Sequence, residues 1–237
     1  MDKLIPALKN SIFTEGVTDT LVDIGEIGLD SILDLTDEVL SEIPILKTIR
    51  AGAKFGQNLR DRNLMKETLA FVVALNEGQM DSEKVARHRE KLKNSRYAEK
   101  ELSRVLLLLD SFLDSQKAIW LAKFYKAYVT ETISWDMFVE FSEIISRSFL
   151  SDIERLQHFK RPYQSIGGDF YIDDSRKIIT DDKQPISLER LTANGLLHRE
   201  ISAPEINQGT LQFSEQGKFY LTDTGALFLQ IAFDREI

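Results

Sequence analysis

Cysteine is absent from the 237 residues. That excludes a disulfide framework, a thiolate zinc site and a cysteine nucleophile, and it suits a reducing cytoplasm. No window approaches the ~18 consecutive apolar residues of a membrane-spanning helix. The longest apolar runs, "LAFVVAL" (69–75) and "VLLLL" (105–109), have the length of core helix segments. The first residues, "MDKLIPALKNSIF", lack the basic start and long apolar core of a signal peptide. A P-loop, a G-x-G-x-x-G, a G-x-S-x-G and an H-E-x-x-H are all missing. The three histidines, His88, His158 and His198, stand at no metal-ligand spacing. No catalytic, metal-binding or cofactor-binding residue is therefore expected. His88, within a charged segment, is expected to face solvent.

What remains is ordinary globular material, 43% apolar and 29% charged. Its charge is unevenly placed. Residues 1–43 carry two lysines against ten Asp/Glu, a net of −8, whereas residues 44–160 are net +4 and residues 161–237 net −4. Opposite charge in adjacent segments predicts that they meet each other or a partner.

Hydrophobic period predicts helix almost throughout 17–159. Over 17–43 the apolar residues share one arc with Gly25 and Gly28, and the acids fall on the other side. Glycine inside a helix costs ~1 kcal/mol relative to alanine, so these two predict close approach of another backbone. Pro44 ends the element. In "ILKTIRAGAKFGQNLRDRN" (45–63), Ile45, Ile49, Gly52, Gly56 and Leu59 line one face, and Lys47, Arg50 and Lys54 the other. Gly52 and Gly56 form a G-x-x-x-G pair suited to a close helix contact. The cations are free to meet the acidic face of 23–42. Arg60 is expected to be partly buried against a carboxylate. Further helices are expected over 64–77, from Asp81 or Ser82, over 96–113, over 114–133, from Ser134 and over 151–159. Short connections between them predict a multi-helix bundle.

After Pro162 the pattern changes. "PISLERLTANGLL" reads as a helix stopping near Gly195, "LLHREIS" as a strand, "TLQFSEQGKFYLT" (210–222) as a hairpin, and Thr222 as the cap of a last helix. The fold class expected is mainly α, with a small C-terminal α+β winged-helix-like unit. The segments are 1–43, 44–160 and 161–237.

"SLERLTANGLLHRE" followed by "FYLTDTGALFLQIA" resembles the end of a winged-helix domain. The order "IPILKTIRAGAKFGQNLRDRNLMKETLAFV", then "RVLLLLDSFLDSQKAIWLAKFYKAYVTETISWDMFVEFSEIISRSFL", resembles a group of uncharacterised bacterial and prophage-linked proteins. The tail "LERLTANGLL…YLTDTGALFL" is similar to that of abortive-infection alpha proteins, a phage-defence grouping. The resemblance covers 40–155 and 187–232 and carries no catalytic residues. It implies a bacterial cytoplasm and phage conflict.

The reading expected is a non-enzymatic protein that binds a protein partner or itself, without cofactor. Its interaction surface is Gly25, Gly28, Lys47, Arg50, Gly52, Lys54, Gly56 and Arg60. One alternative is a nucleic-acid regulator using the basic run Arg87, Arg89, Lys91, Lys93 and Arg96 with Arg190 and Lys218 of the C-terminal unit. Glu residues interleave the run, and Tyr97 is its one aromatic, which favours a solvated charged helix over base stacking. Another alternative is a membrane-acting effector using 17–59. Asp110 and Asp114 read as a helix junction. Asp173-Asp174 and Asp181-Asp182 read as solvated turns.

Overall fold

The computed structural model describes residues 3–13, 43–52, 59–78, 80–157, 159, 185–200, 205–207, 210–212 and 218–234. The expectations for Gly25, Gly28, Lys54, Gly56, His158, the acidic segment 17–42 and the aspartate pairs near 173 and 181 lie outside them. Among the described residues the chain is mainly helical, with ten helices and four short strands. No described helix is long and apolar enough to cross a membrane. The chain divides into two compact units, Met1–Ser146 and Arg147–Ile237.

The first unit holds α1 (Leu4–Ser11), α2 (Pro44–Gly52), α3 (Leu59–Asn76), α4 (Ser82–Lys91), α5 (Ser95–Ser111), α6 (Ser115–Val129) and most of α7 (Trp135–Arg147). Local chemistry sets several ends. Gly78 takes φ +69° just after α3, a conformation glycine reaches without a Cβ penalty. Asp81 caps α4 by accepting from the Glu83 and Lys84 amides at 2.9 and 3.2 Å. Asn94 caps α5 through the Arg96 and Tyr97 amides, and Ser134 accepts from the Met137 amide at 3.2 Å at the start of α7. Each such cap satisfies donors that no helical carbonyl can reach.

α3 and α6 pack most extensively on each other. Both bury residues on most of their circumference: Met65, Leu69, Phe71, Val72 and Leu75 from α3, Trp120, Leu121, Phe124 and Tyr125 from α6. A helix buried all round is the centre of a bundle. α1 packs on α2 and α5. Its Ser11 hydroxyl accepts from the Ile45 amide at 3.0 Å, capping α2 from 34 residues away. No sequence period announced α1.

Two expectations are unmet on this side. Among the described residues a Cβ built on Gly52 would meet nothing within 4 Å, so the close contact expected there is not with any of them. Leu59, expected on the apolar face, is 80% exposed.

The second unit contains α8 (Leu150–Leu156), α9 (Pro185–Ala193), β1 (Leu197–Glu200), β2 (Glu205–Asn207), β3 (Thr210–Gln212), β4 (Lys218–Leu221) and α10 (Asp223–Phe233). The division falls ahead of the composition change at Pro162, because α8 is hydrogen-bonded to α9. The expected hairpin over 210–222 is replaced by two antiparallel pairs. β1 pairs with β4, with Leu197 opposite Leu221, and β2 pairs with β3, with Ile206 opposite Leu211. The strand at 210–212 therefore pairs with the segment before it, and β4 returns to β1. Gly195, at φ +73°, closes α9 and turns the chain into β1. Thr222 caps α10 through the Gly225 amide at 2.9 Å. A Cβ on Gly225 would stand 2.1 Å from the Leu196 carbonyl oxygen, so α10 can start here only on glycine.

Candidate functional site

Two features of the first unit stand out. The first is a set of exposed leucines beside one inter-helix contact. Arg60 pairs with Asp110 through both guanidinium Nε, at 2.9 Å, and Nη2. Arg60 is 72% exposed, not partly buried as expected, and its partner comes from α5. Side-chain hydrogen bonding to Asp110, then its charge, holds the guanidinium pKa above its ordinary value. The Asn63 amide donates to the Phe112 carbonyl at 2.7 Å. These bonds bring the start of α3 to the end of α5, where Asp110 and Asp114 flank the helix junction. Leu59 (80%), Leu107 (54%) and Leu113 (85%) are all exposed around this corner.

The second is a polar cluster inside the bundle. His88, expected in solvent, is 3% exposed and bonded through Nε2 to Glu101 Oε1 at 2.8 Å. The Tyr125 hydroxyl donates to the same oxygen at 2.5 Å, and the Tyr128 hydroxyl to Glu101 Oε2 at 3.2 Å. Tyr97 and Tyr128 are hydrogen-bonded through their hydroxyls. The His88 ring meets Phe13, Tyr125 and Tyr128 edge-on at 5.4–6.0 Å. Burial first, and then the Glu101 charge, pushes the Tyr125 phenol well above its ordinary value. Burial raises Tyr128 and Tyr97 as well. All three phenols therefore stay protonated and able to donate at neutral pH. A buried carboxylate without such donors would be strongly penalised. Helix spacing conceals this cluster, since His88, Glu101 and Tyr125 come from three different helices. No apolar period marks it: the inward positions of α4 are Lys84, Val85 and His88.

The cluster opens at a cleft of about 190 Å³ lined by Tyr97, Lys100, Glu101, Tyr128 and Trp135. Trp120 and Phe124 of α6 are core, whereas Tyr128, one turn further on, is half-buried and lines the cleft.

The remaining expected residues are placed as follows. Lys47 is exposed and Arg50 half-buried on α2. In the basic run, Arg87 pairs with Glu131 at 3.1 Å, Lys93 with Glu90 at 2.5 Å, and Arg89 donates to the Phe13 carbonyl while lying over its ring. Lys91 and Arg96 are exposed. In the second unit Arg190 forks onto buried Asp152 with two bonds of 2.6 Å and so ties α9 to α8. Lys218 opens β4. His198 stands opposite Tyr220 in β1.

Comparison with family models, curated proteins and solved structures returns no match. The functional reading rests on the chain's own surface and clusters.

Proposed function

We propose that this is a non-enzymatic, self-associating protein of the bacterial cytoplasm. The observation that carries the reading is the exposed leucine corner of the first unit, with Leu59, Leu107 and Leu113 around the Arg60–Asp110 pair. Single exposed leucines are common, but several grouped at one corner favour an interface. The corner presents both signs of charge beside apolar side chains. A surface of that kind complements its own two-fold copy, as an isologous interface requires. The occupant we commit to is a second copy of this chain.

Light scattering on the purified protein tests it. The wild type scatters with the mass of a dimer, and Leu113→Asp, fully outside the core, weakens the dimer at least about tenfold. A wild type that stays monomeric at high concentration, or a Leu113→Asp variant with unchanged assembly, overturns the reading. The resemblance of 187–232 to abortive-infection alpha proteins supplies the biological context of phage defence. Expression in a phage-sensitive bacterium then lowers plaque counts, and Leu113→Asp restores them.

A further inference from the structure

We infer that the cleft above Glu101 is a binding site for a small organic ammonium ion. Tyr97, Tyr128 and Trp135 line it, with the Tyr128 and Trp135 rings 5.3 Å apart at 61°. Two aromatic rings set at such an angle form two walls of a box, and ring faces attract cations. Glu101 lines the same space, where it supplies negative charge. Its Oε1 is held by His88 and Tyr125, and its Oε2 accepts from Tyr128 at 3.2 Å. A quaternary ammonium has no N–H to donate, so the carboxylate attracts it through charge. The carboxylate is also held rigidly, and a rigid group loses little on binding.

Size narrows the ligand. The 190 Å³ cleft holds about six waters at ~30 Å³ each, and is below the ~300–1,000 Å³ of sites for drug-sized molecules. An ammonium head group fits, and a nucleotide does not. Lys100 lines the same cleft and is exposed. It repels a simple cation and attracts a carboxylate, so it separates two ligands of the same head-group chemistry: a plain quaternary ammonium and a zwitterion.

Calorimetric titration of the full chain tests this with choline, glycine betaine and 3,3-dimethylbutan-1-ol, the uncharged isostere of choline. Saturable binding of choline or betaine is expected, with the neutral isostere at least about tenfold weaker. Trp135→Ala, at a half-buried position, abolishes binding while circular dichroism stays unchanged. Lys100→Ala tightens choline, and it weakens betaine if the ligand carries an acid. Equal binding of choline and its isostere overturns the inference, as does an unchanged titration in Trp135→Ala. So does the absence of saturable heat with either cation.

Discussion

Two buried carboxylates, one in each unit, meet opposite surroundings. Glu67 of α3 is fully buried, accepts one bond from the Ser115 hydroxyl at 3.0 Å, and leaves Oε2 without a hydrogen-bond partner among the described residues. Asp152 of α8 is 1% exposed, yet it receives the Arg190 fork and the Ser187 hydroxyl, each at 2.6 Å. Burial pushes Glu67 up to about 7, against the weaker pull of Ser115. Burial pushes Asp152 up too, but its bonds to Arg190 and Ser187 outweigh that and hold it below its ordinary value. The same desolvation thus ends in opposite shifts, and the partner decides the sign.

The pH dependences are opposite as well. Glu67 binds its proton more tightly in the folded chain. Its contribution is fully present below about 4.5 and is lost as pH rises through about 7. Asp152 releases its proton more readily when folded. Its contribution is present above 3.8 and is lost as pH falls through its lowered value.

The largest expected effect breaks the best-satisfied site. Glu101→Ala leaves His88 and two phenols buried without their acceptor and costs about 3 kcal/mol, read as a lower urea midpoint by Trp fluorescence. An unchanged midpoint would show that the cluster adds nothing to stability. Asp152→Ala costs about 2 kcal/mol in the second unit, because Arg190 can turn to water while Ser187 cannot; amide exchange of α9 and α10 reports it. Arg190→Ala makes Asp152 resemble Glu67, and its carboxyl carbon should then titrate above the ordinary carboxylate range by NMR.

Glu67→Gln sharpens the contrast with the opposite sign. It stabilises the chain on the order of 2 kcal/mol at pH 8 and leaves stability at pH 4 unchanged. Equal effects at both pH values would rule out a raised Glu67. The smallest effect belongs to Arg60→Ala, whose side chain is largely in water. Exposed pairs contribute little, so its urea midpoint should match the wild type.

Much of the fold was legible, for a local reason. Asp81, Ser134 and Thr222 cap helices where their side chains reach amides two or three residues on. Gly78 and Gly195 end helices because a positive φ is local too. That α3 and α6 are helices followed from their apolar content and length. The errors share one feature, which is that another element decided the outcome. His88 sits in a charged helix and was read as solvated, but Glu101, Tyr125 and Phe13 cover it from three other segments. Arg190 was read as a surface contact, yet Asp152, 38 residues earlier, takes its guanidinium. The strand at 210–212 pairs backwards with 205–207 rather than forwards.

By itself, then, the sequence determined where helices start and stop and which of their faces are apolar, because propensity, capping and periodicity act within a few residues. Tertiary structure alone decided which charged groups are buried, which partner each receives, and hence the sign of each shift. Those outcomes depend on the dielectric and the donors that distant segments bring to one point. The cleft at Tyr97, Tyr128 and Trp135 is of this second kind: its walls come from three helices, and only their packing makes a site of them.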